Sequence, residues 1–178
     1  PRRPVPPEYV GRRPGVVHPE GSAVVGFAER FRADVARTEL PGRVGLAAWD
    51  LAEREPVVLG AERVVPAAST IKVLIMVTAL RAVHAGTLEL DAPRQLPTER
   101  VGGAGLLRQL RSVERLSLRD LITLMVVISD NAATNAVIDA VGFDAIRECA
   151  ADLGCTGTRV ERKLMHHHEP GRNETTAL

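Results

Sequence analysis

Residues 69–84 read as a helix that is apolar on nearly every face: Ile71, Val73, Leu74, Ile75, Met76, Val77, Ala79 and Leu80. A helix without a polar face has to lie in the middle of a fold, with other elements packed around it. Polar groups at its head are drawn into the interior or into a cleft. Three stand there, in Ser69-Thr70-Ile71-Lys72. The chain holds 23 basic residues, and the only lysines are Lys72 and Lys163. Where arginine is used almost everywhere, a retained lysine is a candidate for work a guanidinium cannot do. An ammonium loses its proton when desolvated and then acts as a base. A serine one helical turn before a buried lysine is the arrangement of an activated hydroxyl nucleophile. A plainer reading also satisfies the tetrapeptide: Ser69 caps the helix and Lys72 snorkels from it.

Composition narrows the function classes. The 178 residues suffice for one domain with a proper core. A net charge of +1 argues against nucleic acid and anionic membranes as partners. Aromatic residues make up 3%, so stacking platforms for bases or sugars are not expected and the core must be aliphatic. The apolar runs are too short to span a bilayer. Cys149 and Cys155 do not make a disulfide framework and read as free thiols acting as small hydrophobes. The chain begins at Pro1 without an apolar signal core, so the sequence does not report a compartment.

Pattern places the elements. Pro1 to Pro19 is rich in Pro, Gly and Arg and reads as a flexible leader, with one domain over 20–178. Glu20 to Leu40 predicts a helix with Val24, Phe27, Phe31 and Val35 on one face, stopped by Pro41-Gly42. Val44 to Trp49 and Val57 to Leu59 predict a hairpin turned at Glu53-Arg54-Glu55. After the apolar helix, Thr87 to Arg100 reads as a Pro-interrupted connection and Gly102 to Gly105 as a flexible loop. Ser117 predicts a capped helix start leading into Leu121–Ile128. Asn131 to Val141 and Phe143 to Leu153 are two more predicted helices, parted by Gly142. Thr158 to Glu161 is expected to be extended, and Glu169 to Leu178 reads as a polar tail. A lone hairpin is marginal, and its further strands are not obvious downstream. The sheet is therefore expected to be incomplete.

A second constellation is Ser129-Asp130-Asn131, between two helical runs. Taken alone it is consistent with a helix-to-helix turn in which Asp130 or Asn131 caps the next helix. Taken with Ser69-x-x-Lys72 it resembles the signature of class A β-lactamases and penicillin-binding proteins. The 60-residue separation of the two serines, Leu118-Arg119-Asp120-Leu121 before the second motif and Asn131-Ala132-Ala133-Thr134-Asn135 after it carry the likeness over roughly residues 20–178.

The resemblance implies an α/β (α+β) fold, an antiparallel sheet flanked by helices plus an all-helical lobe, with the active site between them. It implies that Ser69 is acylated and that Lys72, neutral for part of the cycle, takes the hydroxyl proton. The Ser69 backbone N–H, at a helix N-terminus, would hold the oxyanion. Ser129 would shuttle a proton to the leaving nitrogen. Asn131 would bind the substrate side chain, with Gly103 and Ala104 in the opposite cleft wall, and Asp130 would brace the loop. The expected reaction is β-lactam ring hydrolysis through a serine acyl-enzyme, without metal or cofactor. The partner would be a small β-lactam or peptidoglycan-like molecule, and the complete domain would be a periplasmic or secreted monomer.

Three departures qualify this. No Lys-Thr-Gly-like third motif follows Lys163, so the chain is expected to stop before that strand. Glu169-Pro170 looks like the deacylating loop of β-lactamases, but Glu169 lies later than the class A pattern expects, and the expected place falls near Leu164-Met165. Either His166-His167-His168 is an insertion and Glu169 is the base, or the Glu is missing. The three consecutive His lack the spacing of zinc ligands and read as a solvated insertion. Two rivals stay open: a penicillin-binding D,D-peptidase or other serine amidase or esterase, and a non-catalytic fragment. A fragment is expected to expose apolar faces on the hairpin and on helix 69–84.

Overall fold

The computed structural model describes residues 26–38, 42–49 and 56–177. The predicted leader 1–19, the hairpin turn at 53–55 and both ends of the first predicted helix lie outside these residues. Helix α1 spans Phe27–Arg37, with Phe27 and Phe31 stacked one turn apart. It ends before the predicted Pro41 stop. Thr38 turns extended, and its hydroxyl donates to the Asp34 carbonyl at 2.9 Å, an alternative to continuing the helix. Strands β1 (Leu46–Trp49) and β2 (Pro56–Leu59) pair antiparallel as the predicted hairpin, with Leu46 opposite Leu59.

The two-residue strand β3 (Val65–Pro66) runs into a 3-10 turn, Ala68–Thr70, and then into helix α2 (Ile71–His84). Strands β4 (Pro93–Gln95) and β5 (Arg115–Ser117) form a second antiparallel pair. Helix α3 (Leu118–Val127) starts on a capping box: Ser117 Oγ accepts from the Asp120 N–H, and the Asp120 carboxylate accepts from the Ser117 N–H. Helices α4 (Asn131–Val141) and α5 (Phe143–Asp152) follow, then β6 (Arg159–Val160) and β7 (Asn173–Thr175). Leu90 and Asp91 tether the start of α3, through the Arg119 backbone and guanidinium respectively.

The architecture is the mixed α/β arrangement expected, with small antiparallel sheets beside a helical lobe. α2 lies against α3, α4 and α5. Ile71, Leu74, Ile75 and Ala79 of α2 close a core with Leu118, Leu121, Met125, Val137, Ile138 and Ile146. Cys149 and Cys155 are free, and Cys149 is buried in that core. The burial of α2 is incomplete: Val73 is 60% exposed, and Leu80, seven residues on and on the same face, is also exposed. Trp49, Val58 and Leu59 of the hairpin are exposed too. Exposed apolar side chains thus lie on both the hairpin and α2. No helix among the described residues is long and apolar enough to cross a membrane.

The sheets depart from expectation in one respect. The tail read as polar supplies β7, the middle strand of a three-stranded sheet, paired with β3 through Val65 and Thr175 and with β6 through Val160 and Asn173. Asn-Glu-Thr carries no apolar alternation. The strand is created by partners on both edges, which satisfy its backbone groups, and by the polar side chains of Asn173 and Thr175, which bond to the β6 segment.

Leu121 is fully buried and Val73 is not. Leu121→Ala is expected to cost about 2–5 kcal/mol through loss of burial and the cavity left behind. Val73→Ala should stay within about 0.5 kcal/mol. Urea denaturation of the two variants beside the parent chain measures the contrast.

Candidate active site

Ser69 reaches its place through the backbone before it. The Ala67 N–H donates to the Asn173 carbonyl at 3.0 Å, which ties the entry to α2 onto β7. Ala68 then adopts a left-handed φ of 48°, costly for a residue with a Cβ. Ser69 follows in the 3-10 turn with its side chain at the surface, and one turn later Lys72 is buried, 3% exposed. Opposite, α3 ends, and Ser129 takes a left-handed φ of 58°. Asp130 caps α4 by accepting from the Ala133 N–H at 2.9 Å.

The two turns bring the motifs together. Lys72 Nζ lies 3.2 Å from Ser69 Oγ, 2.8 Å from Ser129 Oγ, 2.7 Å from the Ser129 carbonyl and 3.0 Å from Asn131 Oδ1. The two hydroxyls are 2.8 Å apart. Ser69, Lys72, Ser129 and Asn131 thus form one connected cluster. Burial holds the Lys72 pKa below the usual lysine value, and the negative charge of Asp130 opposes that shift. The physical result is a larger share of neutral amine, able to accept a proton from Ser69.

Asp130 is 1% exposed. Besides capping α4, its carboxylate accepts from the N–H groups of Leu106 at 2.6 Å and Leu107 at 2.7 Å. This pins the loop 102–107 against α4. Gly105, at φ 116°, has no room for a Cβ, which would lie 2.3 Å from the Asp130 carboxyl carbon. Gly103, at φ 84°, is in the same position against Asn131 Nδ2, at 2.6 Å. The Ala104 carbonyl accepts from the Asn131 N–H at 3.0 Å, and Asn131 Nδ2 donates to the Gly102 carbonyl at 3.2 Å. Gly103 and Ala104 therefore stand beside Asn131.

Glu169 is placed elsewhere. Its carboxylate pairs with His166 Nδ1 at 2.9 Å, and no described hydrogen bond or ion pair links it to Ser69, Lys72, Ser129 or Asn131. The loop residue held beside the cluster is Leu164. Asn135 Nδ2 donates to its carbonyl at 3.1 Å, and Asn135 Oδ1 accepts from its N–H at 2.8 Å. Lys163 pairs with Asp139 of α4 at 2.6 Å. Met165, left-handed at φ 64°, comes close to Gly103. Ala68, Ser129 and Met165 are the non-glycine residues with positive φ among those described, and all three border this region.

Sequence reasoning gave no role of their own to Asn135, read only as part of the likeness after the second motif, or to Asn173. Asn135 is buried one turn beyond Asn131 on α4, and a second amide at that spacing on an apolar helix is a signal that was available. Asn173 bonds the Glu161 and Arg162 segment through its side chain and Ala67 through its carbonyl. No local pattern announces it.

Known proteins resemble this chain in sequence and in fold. A family model described as the beta-lactamase enzyme family matches residues 27–178. Among solved structures, a beta-lactamase from Sphaerobacter thermophilus is 36% identical, with a TM-score of 0.65, over 70% of this chain and 49% of that one. PBP-A is 28% identical, with a TM-score of 0.72, over 84% and 56% of the two chains. An ancestral class A beta-lactamase, 23% identical with a TM-score of 0.70 over 84% and 59%, shows the shared fold. The chain thus spans about half the length of these proteins.

Two outcomes follow from the site. Asp130→Ala removes the acceptor of three backbone N–H groups and should cost about 3–5 kcal/mol, read from denaturation midpoints. Lys72 has a folded pKa below its unfolded value, so the unfolded chain holds that proton to higher pH. Its contribution to stability should therefore rise with pH between the folded value and the usual 10.5, and Lys72→Met should flatten that rise in pH-dependent melts.

Proposed function

The chain belongs to the beta-lactamase enzyme family, and from that footing we propose that it opens β-lactam rings by attack of Ser69, forming a serine-bound acyl-enzyme. The observation that carries this reading is the cluster of Ser69 and Ser129 hydroxyls around the buried Lys72 amine, within 3.2 Å. With Lys72 neutral, the Ser69 O–H donates its proton to Nζ as Oγ attacks the lactam carbonyl. The Ser69 N–H, at the head of α2, is the proposed oxyanion donor. Ser129, in contact with both Ser69 Oγ and Nζ, is placed to pass the proton to the lactam nitrogen as the C–N bond breaks. Asn131 orients Lys72 and presents its amide near the Gly103-Ala104 wall. Because the leaving nitrogen stays attached to the acyl group, the adduct carries the whole mass of the β-lactam.

The fate of the adduct separates two readings. Hydrolysis with Glu169 as base makes the protein a β-lactamase. The clamp of Asn135 on Leu164 and the pairing of Glu169 with His166 favour a second reading, a site of the penicillin-binding type with a long-lived adduct. In that case no carboxylate is aimed at the deacylating water.

Intact-protein mass spectrometry after addition of a penicillin tests this. An adduct of the full penicillin mass is expected, and it should be absent in Ser69→Ala. If Glu169 is the base, the adduct decays and Glu169→Gln lengthens its life by about a hundredfold. If it persists equally in parent and variant, the second reading holds. The rate of adduct formation should rise with pH along a limb whose midpoint lies below the 10.5 of an ordinary lysine. Absence of any adduct would sink the proposal in favour of a non-catalytic segment.

A further inference from the structure

We propose that His166, His168 and Glu169 form a binding site for a zinc-like divalent cation. Consecutive histidines lack the usual ligand spacing, yet the turn supplies what the spacing lacks. The Glu169 N–H donates to the His166 carbonyl at 3.1 Å, so the chain reverses across these four residues and returns the last two side chains over the first. One donor atom from each of the three lies within 4.8 Å of the other two. His166 Nδ1 and Glu169 Oε1 are 2.9 Å apart, and the His166 and His168 rings are 5.6 Å apart between centroids.

Zinc bonds of about 2.0–2.2 Å set neighbouring tetrahedral ligands roughly 3.3 Å apart. The His166–Glu169 pair is already near that separation, and side-chain rotation of His168 closes the rest. Two imidazoles and one carboxylate are a donor set suited to zinc, with water completing the fourth position. The same set does not suit magnesium, which prefers oxygen ligands. His166 and Glu169 are half-buried and His168 is exposed, so the cation enters from solvent onto a partly fixed pair. His166 also lines a cavity of about 180 Å³ with Asn135, Asp139 and Lys163. A bound ion would therefore join the outer half of the loop to the half already clamped on α4. His167 is not a member of the cluster, and this separates a built site from a simple histidine tract.

Isothermal titration of the chelator-stripped chain with zinc chloride, and in parallel with magnesium chloride, tests the site. One zinc per chain is expected with about micromolar affinity or tighter, and no magnesium uptake in the same range. His168→Ala and Glu169→Gln should each weaken zinc binding by about tenfold or more, while His167→Ala leaves it unchanged. Circular dichroism establishes that the variants keep the fold. No zinc uptake by the parent chain overturns the proposal. So does binding that survives Glu169→Gln, or that falls as far in His167→Ala as in His168→Ala, because a solvated histidine tract would then account for it.

Discussion

The burial of one amine at the head of α2 is the constraint on which the rest of this structure depends. Lys72 is almost wholly withdrawn from water, and an amine in that position needs oxygen atoms on several sides or a heavy desolvation cost remains. Oxygens from Ser69, Ser129 and Asn131 provide them. That requirement explains the backbone around it. Ser129 gives both its carbonyl and its hydroxyl to the same amine, and its left-handed conformation accompanies that double approach. Ala68 carries comparable strain on the other side, where the chain turns to set Ser69 one turn before Lys72. Both strained turns sit at the ends of packed helices, where the surrounding structure can hold them.

Helix α4 organises the remainder. Asn131, Asn135 and Asp139 fall four residues apart and so share one face. The first holds Lys72 and the loop at Gly102, the second holds Leu164 and the third holds Lys163. A single helical face thus sets the depth of Lys72, the position of the neighbouring loop and the anchoring of the segment beyond it. Asp130, at the head of the same helix, draws the 102–107 loop inward through backbone N–H groups. The helix macrodipole favours the negative carboxylate at that end, so one residue serves as cap and brace together. Asn173 links the tail to the entry of α2, which is how a segment near residue 173 comes to support a serine at 69.

The Lys72 cluster and the loop beyond it differ in how firmly each is held. Lys72, Asp130, Asn131, Thr134 and Asn135 are all buried polar residues with partners, a network whose members support one another. The loop from Leu164 to Glu169 is fastened at its first residue by Asn135 and closed on itself by the His166–Glu169 pair. Its carboxylate is satisfied locally, by His166, and is not joined to the Lys72 cluster by any described hydrogen bond. The exposed apolar stripe at Val73 and Leu80 lies on the other side of α2, away from the core that fixes the lysine.

Much of this was legible in the residues. An all-round apolar helix and a lysine kept where arginine is the rule mark α2 and its head, and the likeness of the two serine motifs to a known family's signature implied the cluster. Each is a local signal: periodicity, residue chemistry and spacing along the chain. The capped starts of α3 and α4 were legible for the same reason. What only the tertiary structure decided depends on residues distant in sequence. β7 exists because two strands far from it complete its hydrogen bonds, and Lys163 chose Asp139 because α4 presents that carboxylate to the loop. Glu169 turned to His166 because four residues of chain reverse there, and no periodicity encodes which way a turn aims a side chain. Local pattern determines which elements form and which groups carry chemistry. The packing of those elements decides which groups meet, because contact distances are set by the path of the whole backbone.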